Sequence, residues 1–152
     1  MKITKKGEYA LRALIVLASA FGNKETLTLR QISERDELPF KFLEQIMIGL
    51  KGAKLVQSMK GKHGGYALSR NPKEITLGEI IRVVDGPLAP ILSAEEMEHR
   101  IETDGKHAGL YSILLDVRNA ISKILDKRTL ADILEITLER ASAKRGTQMY
   151  YI

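Results

Sequence analysis

Residues 28–70 read TLRQISERDELPFKFLEQIMIGLKGAKLVQSMKGKHGGYALSR, and this stretch decides the fold. Thr28 stands where a helix N-cap belongs, with Gln31 three residues on as a capping-box partner. Leu29 and Ile32 face inward, and the polar stretch around Asp36-Glu37 ends a short helix. Pro39 suits the first turn of a second helix, where its missing N–H costs nothing. Leu43, Ile46, Met47 and Leu50 recur at helical spacing as that helix's buried stripe. Residues 55–59 and 65–69 then read as two short strands around Lys60-Gly-Lys-His-Gly64, whose glycines permit a tight tip. Two helices, a break between them and a basic hairpin make a winged helix-turn-helix. The fold class expected is mainly α with a small β wing, carried on a long dimerisation helix.

The second helix of such a unit enters the DNA major groove, its N-terminal residues nearest the bases. Lys41, Phe42, Glu44 and Gln45 are therefore candidate readers, and Thr28, Arg30 and Lys51 flank them. Gln can pair with adenine, Glu can accept from cytosine and Lys can donate to guanine. Taken alone, these residues read better as the solvated side of an amphipathic helix. The hairpin adds weight to the first reading: Lys60, Lys62 and His63 put charge at its tip for phosphate contact. A glycine-rich nucleotide cradle would need a helix N-terminus next, and a strand follows instead.

Charge is distributed accordingly. Residues 1–70 carry 13 Lys/Arg against 6 Asp/Glu, and residues 71–152 carry 11 against 13, so the whole surplus behind the net +5 lies in the helix-turn-helix half. That is the footprint a polyanion partner requires. No cysteine occurs, which excludes disulfides, zinc thiolates and thiolate-held iron–sulfur clusters. Lys5-Lys6 followed by an apolar run to Ala18 imitates a signal peptide, but Glu8 and Arg12 interrupt it. No stretch is long enough to span a membrane. The chain reads as soluble and cytoplasmic, with no Ser/His/Asp set or nucleotide loop to suggest an enzyme.

Around the helix-turn-helix, residues 4–21 read as a platform helix capped by Thr4. Thr76 and Glu79 form a capping box for a helix that stops at Asp85-Gly86-Pro87. Residues 88–92 read as an extended apolar connector, and 93–101 as a short acidic helix. Glu95, Glu98, His99, Glu102, Asp104 and His107 carry metal-binding chemistry, yet an acidic solvated helix accounts for them better. Leu110, Ile113, Leu114, Val117, Ile121, Ile124 and Leu125 give a long helix an apolar face, which a second subunit would cover. Thr129 with Asp132 restarts a helix to about Ala143, and a loose Lys144–Thr147 leads to Met149-Tyr150-Tyr151-Ile152. The divisions expected are a DNA-binding domain over 1–85, a connector or sensing loop over 86–109, dimerisation helices over 110–143 and a tail over 144–152.

Six pieces stand in an order already known. Gly7-Glu-Tyr-Ala-Leu-Arg12, Phe42-Leu-Glu-Gln45, Gly64-Gly-Tyr66, Ile75-Thr-Leu-Gly-Glu-Ile80, Asp85-Gly-Pro-Leu-Ala-Pro90 and Thr129-Leu-Ala-Asp132 resemble the IscR/NsrR/CymR family of bacterial regulators. The resemblance implies a dimeric repressor with winged heads joined through a long helix, bound to a pseudo-palindromic promoter site on double-stranded DNA. Many members hold an iron–sulfur cluster through three cysteines, whose positions here fall within 92–107 and are not cysteine. Glu8, where some members place another ligand, cannot hold a cluster alone, so no cofactor is expected. The tail Met149, Tyr150, Tyr151, Ile152 is similar to that of the clusterless CymR-type members. This implies a role in cysteine metabolism and docking of the tail into cysteine synthase, its carboxylate captured by backbone N–H groups. A tail packed on its own subunit is the alternative. A protein-interaction module in which DNA binding is secondary is the second functional reading.

Overall fold

The computed structural model describes residues 2–88 and 92–150, the side chains of Gln148 and Tyr150 excepted. Along the chain run α1 (Lys5–Phe21), α2 (Leu29–Arg35), α3 (Phe40–Gly52), β1 (Val56–Met59), β2 (Gly65–Leu68), α4 (Leu77–Asp85), α5 (Ala94–Thr103), α6 (Ala108–Leu125) and α7 (Leu130–Tyr150). A short 3-10 turn over Pro72–Glu74, not foreseen in the sequence, precedes α4 and is capped by Asn71.

The core is aliphatic. Leu14 and Leu17 of α1, Ile32 of α2, Leu43, Met47 and Leu50 of α3, and Ile80 of α4 are buried together. Burying each such side chain is worth about 1.5–3 kcal/mol, so α1 is the platform behind the helix-turn-helix. Leu130 is buried in the same cluster with Ile133 and Leu134 packed against it. The opening turns of α7 thus return to the head.

The caps follow local chemistry. Thr28 accepts from the Gln31 N–H at 3.2 Å and its own N–H donates to the Gln31 side chain at 2.9 Å, a complete box. Thr129 and Asp132 form the same pair at the head of α7. At α4 only half of the expected box exists: Thr76 accepts from the Glu79 N–H, while the Glu79 carboxylate turns to Arg70. An ion pair outcompetes a neutral amide for that carboxylate. Pro39 takes the N-cap of α3 rather than its first turn.

Three expectations downstream need correction. The acidic helix runs on from Ile101 to Thr103, and the long apolar helix begins at Ala108, ahead of Gly109. The last helix does not end near Ala143: α7 continues through Lys144–Thr147 to Tyr150, longer than α6. The residues there are mostly good helix formers, and one glycine costs only about 1 kcal/mol. The stretch Ala89-Pro90-Ile91 and the final Tyr151-Ile152 lie outside the described residues.

Along α6 the apolar face divides into two. Tyr111, Leu114, Ile121 and Leu125 are half-buried, and α5 packs against this helix. Leu110, Ile113, Val117 and Ile124 are more than half exposed. With Ala120, the exposed set repeats at steps of three, four, three and four, the spacing of a two-stranded helical seam.

Candidate nucleic-acid interface

The turn between α2 and α3 is braced from behind. Glu37 adopts a left-handed conformation (φ 50°). The Ser33 hydroxyl donates to the Leu38 carbonyl at 2.6 Å, and the Leu38 N–H donates back to the Ser33 carbonyl at 2.9 Å. Arg12 of α1 donates to the Asp36 carboxylate at 2.8 Å and to the Asp36 carbonyl at 2.7 Å. The hydrogen bond to Asp36 raises the Arg12 pKa above its ordinary value. These two bonds tie the turn that leads into α3 to α1.

On α3, helical spacing sorts the side chains. The buried stripe holds Leu43, Ile46, Met47 and Leu50. Opposite it lie Lys41, Gln45, Ile48 and Gly52, all exposed. Phe40, Glu44 and Lys51 share the flank facing the hairpin, because Lys51 donates to the Ser58 hydroxyl of β1 at 2.6 Å. Phe42 lies on the other flank, where its ring meets Tyr9 of α1 at 6.1 Å between centroids. Of the four expected readers, Lys41 and Gln45 share the outward stripe, Glu44 stands beside it and Phe42 turns towards α1.

The hairpin is antiparallel, with Val56 opposite Leu68 and Met59 opposite Gly65. Gly61 (φ 110°) turns the tip and its carbonyl accepts from the Gly64 N–H at 2.9 Å. Lys60, Lys62 and His63 are exposed there. The hairpin is fastened to the segment before α2. Leu27 and Tyr66 exchange backbone hydrogen bonds of 2.9 and 2.7 Å, and the Thr26 hydroxyl donates to the His63 carbonyl at 2.7 Å. Gly65 (φ 150°) makes that contact possible: a Cβ there would sit 2.7 Å from the Leu27 carbonyl. A basic-edged cleft of about 450 Å³ results, lined by Lys24, Thr28, Gln31, Lys62 and His63. A neighbouring one of about 550 Å³ separates Arg30 and Phe40 from Met59 and Tyr66. Thr28 spends its hydroxyl on the cap, and Arg30 pairs with Glu34 at 3.0 Å on the open surface.

Two residues of this face were absent from the expected set. Lys24 joins the wing cleft because its left-handed turn (φ 53°) brings it round. Ile48 is an aliphatic side chain 68 % exposed on the outward stripe. Its position was legible, seven residues after Lys41 and three after Gln45, but charge and hydrogen-bonding chemistry alone do not single it out.

A helix-turn-helix presenting an exposed polar stripe beside a basic wing defines a DNA-binding transcription regulator of the winged-helix class. Comparison with known proteins agrees. The profile of the Rrf2 family, described as iron-dependent transcriptional regulators, matches residues 3–136. The HTH-type transcriptional regulator CymR of Bacillus subtilis is 34 % identical over 152 residues, covering all of both chains. The solved structure of B. subtilis CymR, titled the global cysteine regulator, superposes with a TM-score of 0.72 at 35 % identity, over 90 % of this chain and 98 % of that one. The structure of T. potens IscR does so with a TM-score of 0.69 at 35 % identity, over 90 % and 88 %. The chain belongs to the Rrf2 family.

The iron in that family's description meets an unsuitable donor set here. The chain has no cysteine to supply thiolates. Glu8 accepts from Lys5 at 2.9 Å and lies 3.7 Å from Arg12, and these cations, Lys5 foremost, lower its pKa. Among the described residues no three His, Asp or Glu side chains converge as a metal site. Within the 93–107 stretch, His107 hydrogen-bonds Asp104 at 2.9 Å. No described helix is long and apolar enough to cross a membrane.

Proposed function

We propose that the protein is a homodimeric repressor that reads a pseudo-palindromic promoter site. Each subunit offers the outward stripe of α3 to one major-groove half-site and grips phosphates with the wing. The observation that carries this reading is an exposed α3 stripe with Lys41 and Gln45 on a helix that Lys51 ties to the hairpin through Ser58, the hairpin tip carrying exposed Lys60, Lys62 and His63. Arg30, Glu44 and Lys51 border that face, while Thr28 and Phe42 act by supporting it. The exposed seam of Leu110, Ile113, Val117 and Ile124 supports pairing through α6 in two copies. Selection of bound fragments from random DNA tests the proposal. A two-fold symmetric site is expected, with affinity falling as salt rises by about 0.9 in log–log slope per phosphate neutralised. Equal binding to selected and random fragments refutes it. Val117→Glu is expected to convert the dimer to monomers in sedimentation and to abolish binding to the full site.

The regulated genes, on this proposal, belong to cysteine metabolism. Full-length similarity to a protein whose structure is described as that of the global cysteine regulator supports that. We further propose that the tail Met149, Tyr150, Tyr151, Ile152 docks into cysteine synthase. The course of α7 supports it: the helix runs to Tyr150 and leaves Met149 79 % exposed. Deleting the last four residues should abolish capture of the enzyme and leave DNA binding by the free dimer intact. Unchanged capture refutes the docking.

A further inference from the structure

Ile48 is out of place on any account that counts only charge. It is the exposed aliphatic side chain on the outward stripe of α3, between Gln45 and Gly52. Leaving a large apolar group in water forgoes stabilisation that burial would provide. Beside the polar side chains of Glu44, Gln45 and Lys51, two positions next to it on α3 are glycine. At Gly49 beside it and Gly52 one turn on, a Cβ would meet nothing within 4 Å. At those two positions the helix presents only backbone, so a partner surface can come close beside the Ile48 side chain. A β-branched side chain in a helix holds essentially one χ1 rotamer and points towards the N-terminus. Ile48 is therefore fixed in advance and leans towards Gln45 and Lys41.

We infer that Ile48 is a specificity-determining residue that packs on a thymine 5-methyl group in each half-site. The inference rests on the DNA-reading role proposed for α3. Within the major groove the exposed edges are hydrogen-bond donors and acceptors, and the thymine methyl is the apolar group among them. A hydrocarbon that can make no hydrogen bond selects that methyl and penalises cytosine, whose amino group it would leave unpaired. Gln45, one turn before Ile48, is suited to the adenine of an adjacent pair. The stripe thus pairs a polar reader with an apolar one, and the site it selects carries an A·T-type step opposite the middle of α3.

Single replacement of thymine by deoxyuridine in the selected site tests this, because it removes one methyl and leaves every hydrogen-bonding edge unchanged. With the full-length wild-type protein, one thymine per half-site is expected to weaken binding about fourfold when replaced, the worth of one methyl taken out of water. In Ile48→Ala that thymine/deoxyuridine ratio should fall to one, while in Lys62→Ala the ratio should persist although every affinity drops. Ile48 is exposed and alanine is a better helix former, so the variant folds. A ratio of one at every thymine in the wild type overturns the inference, and so does a ratio that survives Ile48→Ala. If no site is selected from random DNA, the DNA-reading role itself has failed; a selected site without a methyl effect overturns the Ile48 contact alone.

Discussion

Replacing Gly65 by alanine should unfasten the wing. Its φ of 150° is one that side chains rarely adopt, and the added Cβ would stand 2.7 Å from the Leu27 carbonyl carbon and oxygen and 3.0 Å from the Thr28 nitrogen. These are backbone atoms, so no rotamer change relieves the clash. Backbone strain at such a position costs about 1–3 kcal/mol. Relief requires β2 to draw away from residues 26–28, at the expense of the Leu27–Tyr66 pair of hydrogen bonds, each worth about 1 kcal/mol net. The combined loss is about 3–5 kcal/mol, a large share of the stability of a domain this size. Urea unfolding followed by far-UV circular dichroism measures it. Below the transition, DNA affinity should fall too, because the wing cations no longer stand beside α3. Gly22→Ala is the matched control: nothing lies within 4 Å of its Cβ position, and less than about 1 kcal/mol is expected. A Gly65→Ala variant within 1 kcal/mol of wild type, with unaltered affinity, would refute the reasoning.

Lys62→Ala should weaken binding to all sequences alike and lower the salt slope by about 0.9, read by fluorescence anisotropy over a salt series, whereas Gln45→Ala should relax preference at one base pair by about 1–3 kcal/mol. The Arg82–Asp126 pair, bonded at 2.7 and 2.9 Å across α4 and α6, is about two-fifths exposed, so a double-mutant cycle should give no more than about 1 kcal/mol of coupling. The hydrogen bond from Arg82 lowers the Asp126 pKa. The coupling is therefore present above the ordinary carboxylate range and lost as pH falls through the lowered value; a cycle measured well below about pH 4 should approach zero. Gly146→Ala should stabilise the end of α7 by about 0.5–1 kcal/mol and raise helicity; an unchanged spectrum would mean that residues 144–147 are loose.

What the sequence disclosed depended on how far each signal reaches. Local signals sufficed for the caps at Thr4, Thr28 and Thr129 and for the hairpin, because a hydroxyl and its partner three residues on satisfy each other. They failed at Thr76, where Glu79 was drawn away by Arg70, nine residues earlier in the chain. Gly146 and the paired cations read as a break, yet α7 runs through them, because neither costs more than a helix can absorb. On the interface, periodicity distinguished buried from exposed but not one exposed flank from the other. Phe42 and Lys51 take their places through Tyr9 and Ser58, contacts that only the folded chain brings together. Sequence spacing gives α6 a single apolar face, whereas the fold leaves Tyr111, Leu114, Ile121 and Leu125 half-buried and Leu110, Ile113, Val117 and Ile124 exposed.

Besides the opening turns of α7, α4 joins the head to α6. At its C-terminal end Asp85 accepts from the Thr4 N–H at 3.0 Å and from the Thr4 hydroxyl, and it lies so near Gly7 that a Cβ there would stand 2.2 Å from the carboxylate. That ties α4 to the start of α1. At its N-terminal end the Leu77 N–H donates to the Arg128 carbonyl at 2.8 Å and the Leu130 N–H to the Ile75 carbonyl at 3.0 Å. Arg82 then reaches Asp126 at the end of α6, and Gly78 leaves room for that carboxylate, which a Cβ would meet at 2.0 Å. A head that turned against α6 would have to break backbone bonds as well as an ion pair. Two heads paired through α6 would therefore hold a set separation between their α3 helices.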